Sequence, residues 1–583
     1  MYLEKINGPE DVKKLSVEQM EILADEMRDA LMNKLSVCGG HCSSNLGIVE
    51  LTIALHCVFS SPIDKIVFDV SHQSYSHKML TGRNLSYLIP EEYDKVSGYT
   101  NPVESQHDIF NIGHTSTSLS LASGLVKARD LAGEQYNVIA VIGDGAIGGG
   151  EALEALSLAS ELKSNFIIVL NDNNMAISEN CGGLYNNLEE LRSSKGKSTF
   201  NMFKSFGLDY VYVHDGNNIQ SLIETLNEVK DIGHPIVVHV STKKGKGFKM
   251  AEDNSERWHA RKPFDMTTGK DLVDRGVNYQ MITYDYLLNK SKKDPRLAVV
   301  VSGTPSVLAL NKDKREALGS HYVEVGVAEE HAVAMISGLA KNGARPVYAV
   351  YSSFVQRCYD QIAQDICINN SPATFLVFSA SIYGNNDITH LGIFDIPMMS
   401  NIPNLVYMAP TCKEEYFAML DWAISQEKYP VGIRVPCGQM ILKEKDFSCD
   451  FSDVNKFEVV EKGKDVAIIG LGNFYAIAEK VSEILAKQGV NATLINPRFV
   501  TAIDEELLES LKAEHRLVVT IEDCVLNGGF GEKIARFYGD SDMKVKCYGY
   551  KKEFLDLFMP QEVLERNGIT VENISNYILS KLK

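Results

Sequence analysis

No run of apolar residues in this sequence approaches the roughly 18 needed to cross a bilayer. The N-terminus, MYLEKINGPEDVKKL, carries charges with no apolar stretch behind them, so neither a membrane span nor a secretory leader is expected. The 11 cysteines lack any disulfide-like rhythm, which predicts a reduced, cytoplasmic protein. Cys38-Gly-Gly-His41-Cys42 has no second ligand pair at zinc spacing, which makes it a poor zinc site. Positive charge is also short: 58 Lys and Arg face 76 Asp and Glu, for a net charge of −18. That balance argues against nucleic acid or an anionic membrane surface as partner, while leaving room for small anionic substrates in a locally positive pocket. Short-period repeats and low-complexity tracts are missing too.

What is present is an alternation of short β-branched segments, glycine turns and amphipathic stretches. The pattern predicts strands at Ile66–Asp69, Val138–Ile142, Phe166–Leu170 and Ile236–Val240, then at Leu297–Val301, Val347–Val350, Thr374–Val377 and Leu405–Met408. A last set falls at Val466–Ile469, Ala492–Ile495 and Leu517–Ile521. Strands this apolar belong to parallel sheets covered on both faces, so the fold class is α/β throughout. With 583 residues the chain exceeds one core. Polar joints around 254–275 and 442–464 place domain boundaries near 278 and 453, dividing the chain into 1–278, 279–452 and 453–583.

The first chemical motif lies at the ends of two of these strands. Val138–Ile142 runs into Gly143-Asp144-Gly145-Ala146, then Gly148-Gly149-Gly150 and a helix over Glu151–Lys163. Phe166–Leu170 runs into Asn171-Asp172-Asn173. Both therefore sit at carboxyl ends of neighbouring parallel strands, where open α/β sheets bind ligands. An aspartate oxygen, an asparagine oxygen and a backbone carbonyl suit a hard, oxygen-seeking cation that also takes diphosphate oxygens. The glycines let the backbone approach those phosphates, and a helix N-terminus favours their charge. Gly-Asp-Gly alone is often only a turn; its pairing with Asn-Asp-Asn is the specific signal.

Further motifs run the length of the chain. They include Gly39-Gly-His41-Cys-Ser-Ser-Asn45-Leu-Gly47, Phe68-Asp-Val-Ser-His72-Gln-Ser-Tyr75-Ser-His77-Lys78 and Gly113-His114-Thr-Ser116-Thr-Ser118. Later come Thr242-Lys-Lys-Gly-Lys-Gly247, Val325-Gly-Val-Ala-Glu329-Glu-His331, Tyr359-Asp-Gln361, Thr389-His390, Asn496-Pro-Arg498-Phe-Val and Gly528-Gly-Phe530-Gly. In this order they make the chain resemble the 1-deoxy-D-xylulose-5-phosphate synthase family, relatives of transketolase. The resemblance implies three transketolase-like parallel-sheet domains: one for the cofactor diphosphate, one for its aminopyrimidine and a smaller third. It implies thiamine diphosphate and Mg2+ as cofactors, a homodimer, and pyruvate and an aldehyde as substrates, within isoprenoid and thiamine biosynthesis.

Carried over residue by residue, the resemblance makes Asp144, Asn173 and the Met175 carbonyl the metal ligands. Cofactor contacts fall to His72, Gly113, His114, Thr115, Gly145, Ala146, Asn173, Phe248, Glu329 and Phe354. Glu329 is the carboxyl that protonates the aminopyrimidine, and a partly dry cleft would raise its pKa. Phe354 is placed to stack on the pyrimidine, and Phe248 stands where the family usually has tyrosine. His41, His259, His390 and Tyr359 are the catalytic residues on the donor and acceptor side. Any one of these histidines by itself would more often be a surface or satisfied core residue; the matching set suggests proton handling.

The departures gather on the acceptor side. Ser379, Ser400 and Cys437 stand where the family has arginine, Asn386 where it has aspartate, while Arg434 is kept. An arginine–phosphate contact is worth about 1.5–3 kcal/mol. Loss of the two at 379 and 437 would weaken phosphate binding by roughly two to four decades, unless Lys78, Lys243, Lys246 or Arg357 supplies a substitute. After the Asn-Asp-Asn region, Leu184–Asn201 is short beside the family's long segment. Three readings stand at this point. The first is the family's own reaction, the second a related transketolase-type carboligase with another acceptor (an unphosphorylated aldehyde, for example) or donor, and the third a non-catalytic homologue that binds cofactor or only shares the fold.

Overall fold

The computed structural model describes residues 1–273, 276–385, 387–445, 447 and 451–582. Two compact units contain them: Met1–Gly276 with Gly326–Ala328, and Val277–Val325 with Glu329–Lys583.

In the first unit β1 (Lys65–Phe68), β2 (Val138–Gly143), β3 (Phe166–Asp172), β4 (Asp209–Val213) and β5 (Pro235–Ser241) form one sheet. Its order is β1-β2-β3-β5-β4, with every neighbouring pair parallel. The reason is visible in β2, whose Val138, Ala140 and Ile142 enter one apolar cluster and whose Ile139 and Val141 enter another. Successive side chains of a strand point to opposite faces, so both faces of this sheet are dry. Each Val or Ile buried this way contributes about 1.5–3 kcal/mol. Helix α1 (Val17–Cys38) starts with a capping box in which Ser16 and Gln19 satisfy each other's backbone N–H. Beyond it, Gly40–His41 pairs antiparallel with Ala260–Arg261, fixing two of the sequence-predicted histidine regions side by side. Helices α2 (Ser118–Ala132), α3 (Gly150–Ala159) and α4 (Gly183–Ser193) follow.

The second unit holds two sheets. One comprises β6 (Leu297–Val301), β7 (Tyr322–Glu324), β8 (Arg345–Tyr351), β9 (Thr374–Phe378), β10 (Val406–Met408) and β11 (Val431–Arg434). It has the order β10-β11-β9-β8-β6-β7 and is parallel throughout. The other comprises β12 (Glu458–Glu461), β13 (Asp465–Gly470), β14 (Thr493–Asn496), β15 (His515–Val525) and β16 (Lys544–Tyr550). Its order is β12-β14-β13-β15-β16, with only the β12–β14 pair antiparallel. The α/β class and parallel layers expected from the sequence are thus observed. The helix expected over Glu151–Lys163 ends earlier, at Ala159.

Within this unit the sheets are tied by charge as well as by apolar packing. Arg434, at the end of β11, donates from Nε to Asp395 Oδ2 at 2.8 Å and from Nη2 to the Asp523 carbonyl at 3.0 Å. Its Nη1 also bonds the Asp523 carboxylate on β15. All three side chains are buried. The arginine kept from the family pattern is therefore occupied inside the fold.

Candidate active site

The ends of β2 and β3 bring the two halves of the first motif together. Gly143 pairs with Asn171, and Asp144 N–H donates to the Asn171 carbonyl at 3.2 Å. Gly145 must be glycine, because a Cβ there would come within 2.6 Å of the Ala176 Cβ. Ala146 next to it offers its carbonyl to Ser116 Oγ at 2.7 Å, joining this turn to the Gly113-His114-Thr115 segment. That segment is held from below by Asp69, whose carboxylate accepts from Ser116 N–H at 2.8 Å and Ser118 N–H at 3.0 Å.

Several buried oxygen atoms gather here. Asp144 is buried, and its Oδ2 accepts from Asn180 Nδ2 at 2.8 Å. Burial, and then the nearby Asp172 carboxylate, push its pKa up to about 7. Asn173 Oδ1 is buried without a hydrogen-bond donor. The Met175 carbonyl accepts from Lys244 Nζ at 3.2 Å, and the same ammonium bonds the Ala176 carbonyl. Burial lowers Lys244 to about 8 although Asp144 favours its charge. A carboxylate, an orphaned amide oxygen and a backbone carbonyl are hard donors, and they fit magnesium. Among the described residues no group of three His, Cys, Asp or Glu side chains converges, so softer-metal chemistry has no comparable set. Lys244 and Asn180 escaped the sequence reading. Lys244 lies inside the Thr242–Gly247 motif, and nothing in the local pattern separates this buried lysine from its more exposed neighbours Lys243 and Lys246.

Three predicted histidines cluster in the same unit. The rings of His41 and His72 lie 5.0 Å apart, those of His41 and His259 5.6 Å, and those of His72 and His259 5.4 Å. Asn45 fixes two of them by donating from Nδ2 to the carbonyls of His41 at 2.9 Å and His72 at 2.8 Å. Immediately before His72, Val70 and Ser71 hold φ of 56° and 60°, a left-handed pair that a β-branched residue rarely adopts. Backbone strain of this kind collects at functional sites. Burial, and after it Lys244 and the neighbouring imidazoles, keep His259 neutral, its pKa well below the ordinary histidine value. Phe248 turns its ring edge-on to Trp258 at 4.9 Å and packs with that apolar cluster.

The second unit carries the remaining candidates. Glu329 opens the helix Glu329–Lys341 and is 4% exposed. Its Oε2 has no hydrogen-bond partner, and the Arg357 guanidinium stands 3.9 Å away. Burial outweighs that cation and raises the carboxyl to about 7. The ring of Phe354 meets that of His390 at 5.5 Å, and His390 Nδ1 is 2.8 Å from Thr389 Oγ1. Tyr359 is exposed. Asn386 lies outside the described residues.

The substituted arginine positions are uncharged. Ser379 adopts a left-handed φ of 56°, Ser400 Oγ is buried with no partner, and the Cys437 thiol is raised by burial to about 11. The cations considered as replacements are engaged elsewhere. Lys78 pairs with Glu104 at 2.5 Å, Lys243 with Glu252 at 2.7 Å and Lys246 with Glu50 at 3.0 Å, while Arg357 faces Glu329.

Family models match most of the chain. The model described as 1-deoxy-D-xylulose-5-phosphate synthase covers residues 3–201 and 193–242, and those of the transketolase pyrimidine-binding and C-terminal domains cover 289–440 and 455–574. Parallel α/β sheets bearing these motifs define a transferase of the transketolase family. The 1-deoxy-D-xylulose-5-phosphate synthase of Symbiobacterium thermophilum is 38% identical over 99% of this chain and 94% of its own length. That of Caldanaerobacter subterraneus subsp. tengcongensis is 38% identical over 100% and 99%. The chain belongs to the 1-deoxy-D-xylulose-5-phosphate synthase family.

Proposed function

We propose that this protein decarboxylates pyruvate and joins the remaining two-carbon unit to glyceraldehyde 3-phosphate, releasing carbon dioxide. The observation that carries the cofactor assignment is the buried, donor-less Asn173 Oδ1 at the end of one strand, with the buried Asp144 at the end of the strand paired to it. When bound, thiamine diphosphate supplies the carbon nucleophile and the electron sink that this carbon–carbon bond chemistry requires. Asp144, Asn173 and the Met175 carbonyl hold Mg2+, in which case the Lys244 ammonium gives up the Met175 carbonyl. Gly113, His114, Thr115, Gly145 and Ala146 line the diphosphate, and His72 contacts the cofactor with Phe248. Glu329 holds a proton at the pyrimidine ring nitrogen, for which a carboxyl near 7 is well poised, and Phe354 stacks on that ring. His41, His259, His390 and Tyr359 bind and orient donor and acceptor, and move protons between them.

The same reading makes the protein a cytoplasmic homodimer feeding isoprenoid and thiamine biosynthesis, with domains 1–278, 279–452 and 453–583. The test is carbon dioxide release from pyruvate by purified protein with thiamine diphosphate and Mg2+. Strong stimulation by glyceraldehyde 3-phosphate, and little by unphosphorylated glyceraldehyde, is the expected result. Equal turnover of both aldehydes would mean that Ser379 and Cys437 mark an acceptor without phosphate, and would overturn the substrate assignment.

A further inference from the structure

The loops that carry Asp144 and Asn173 share a brace on one stretch of chain, Asn180–Arg192, which the motif reading leaves unused. At its start Asn180 Nδ2 donates to Asp144 Oδ2 at 2.8 Å. One turn into α4, Tyr185 OH donates to the Gly145 carbonyl at 3.2 Å. It stands so close to Gly148 that a Cβ there would come within 2.5 Å of the hydroxyl. At the far end of the helix Arg192 reaches the other loop. Its Nη1 donates to Asp172 Oδ2 at 2.6 Å and its Nη2 to Asn174 Oδ1 at 2.8 Å. The two acceptors flank Asn173 directly in sequence.

The turn between them is left-handed. Asn174 has φ of 62°, and its N–H closes onto Asp172 Oδ1 at 3.0 Å. Asp172 is also gripped from the sheet side, where His239 Nε2 lies 2.8 Å from its Oδ2 and Tyr210 OH lies 2.8 Å from His239 Nδ1. The Asp172 backbone is pinned as well, its carbonyl accepting from Thr242 N–H at 2.9 Å. Asp172 and His239 are fully buried, whereas the Arg192 side chain is 17% exposed. Arg192 therefore lies at the rim of this network and can be changed without opening the core. α4 stays in place through Asn187, Leu188 and Leu191, which are buried independently of it.

We infer that Arg192 is a positioning residue: from α4 it fixes the Asp172–Asn174 turn so that Asn173 Oδ1 and the Met175 carbonyl present to a divalent cation. This rests on the metal assignment above and adds to it a residue that touches neither metal nor substrate. Partners that orient ligands in this way typically alter metal affinity by about 10- to 100-fold. An arginine fork bonds two acceptors at fixed spacing, which a lysine cannot reproduce.

The test is isothermal titration of Mg2+ into the full-length protein with thiamine diphosphate present, comparing wild type, Arg192→Ala and Arg192→Lys. The apparent Mg2+ dissociation constant should rise about 10- to 100-fold in Arg192→Ala and take an intermediate value in Arg192→Lys. Thermal unfolding without metal should stay close to wild type in both. Wild-type Mg2+ affinity in a folded Arg192→Ala protein would overturn the inference. Should that variant fail to fold, Arg192→Lys decides: intermediate affinity supports the role and wild-type affinity overturns it. If the wild type itself shows no Mg2+-dependent binding of thiamine diphosphate, the metal assignment fails first, and this inference with it.

Discussion

Replacing Glu329 with glutamine is expected to lower turnover by about two to four decades while making the cofactor-free protein more stable at pH 8. The two effects share one cause. Glu329 is an almost fully buried carboxyl whose Oε2 bonds no donor, with Arg357 3.9 Å off. Burial raises its pKa from 4.5 to about 7. A raised acid favours the folded state while both states are protonated and loses that contribution as pH climbs through the folded value. Wild-type stability should accordingly fall between about 4.5 and about 7, and above that the ionised carboxylate costs about 3 kcal/mol. Glutamine has nearly the same shape and does not ionise. Urea unfolding of Glu329→Gln should match wild type below pH 4.5 and exceed it by up to about 3 kcal/mol at pH 8. Carbon dioxide release from pyruvate by the cofactor-loaded variant reads the catalytic arm. A variant that turns over normally would remove Glu329 from the chemistry, and one no more stable at pH 8 would show that its carboxyl is not strained by burial.

The second large effect is expected at Arg434. Methionine there should cost about 3–5 kcal/mol, because Asp395 and Asp523 would stay buried without their cation. Arg434→Lys should recover little, since one ammonium cannot span a fork that bonds Asp395 by Nε and Nη2 and Asp523 by Nη1. Combining Arg434→Met with Asp395→Leu and Asp523→Leu should regain part of the loss, limited by Tyr407 OH and Asn473 Nδ2, which also donate to those carboxylates. The midpoint of urea unfolding measures all three. A loss under about 1 kcal/mol for Arg434→Met would mean that the buried charges tolerate separation, and that the sheets of the second unit do not depend on this ion pair.

These cases show which parts of the molecule could be read from sequence. Val138–Ile142 and Phe166–Leu170 announced themselves because they are buried on both faces and bounded by Gly and Asn turns, and they occupy β2 and β3. Their adjacency put Asp144 and Asn173 at one sheet edge, so the core of the candidate site was legible. The unforeseen strands lacked that signature. β4 (Asp209–Val213) and β16 (Lys544–Tyr550) lie at sheet edges and mix exposed with apolar positions. β7 and β12 are likewise short edge strands. β11 is interior but only Val-Gly-Ile-Arg, with Gly432 tucked against the Tyr407 ring, where a Cβ would come within 2.7 Å. Side chains that act across long sequence distances were also out of reach. The sequence marks Arg434 only as an arginine kept from the family pattern, because its partners Asp395 and Asp523 lie 39 and 89 residues away. Lys244 and Arg192 depend on loop paths that no local pattern encodes.

Ser379 sits in a tight turn that limits how this position can change over generations. Its peptide is pressed from two sides: a Cβ at Gly392 would fall 1.9 Å from the Ser379 carbonyl oxygen, and one at Gly384 2.6 Å from it. Those glycines cannot vary without moving the main chain, and Gly384 bounds the side chain of residue 379 as well, since a Cβ there would fall 2.8 Å from the Ser379 Cβ. At φ of 56° only side chains that tolerate a left-handed backbone fit here without strain, so few single codon changes are open at this position. Change at this position is thus confined to a narrow set of residues, on a frame that itself stays fixed.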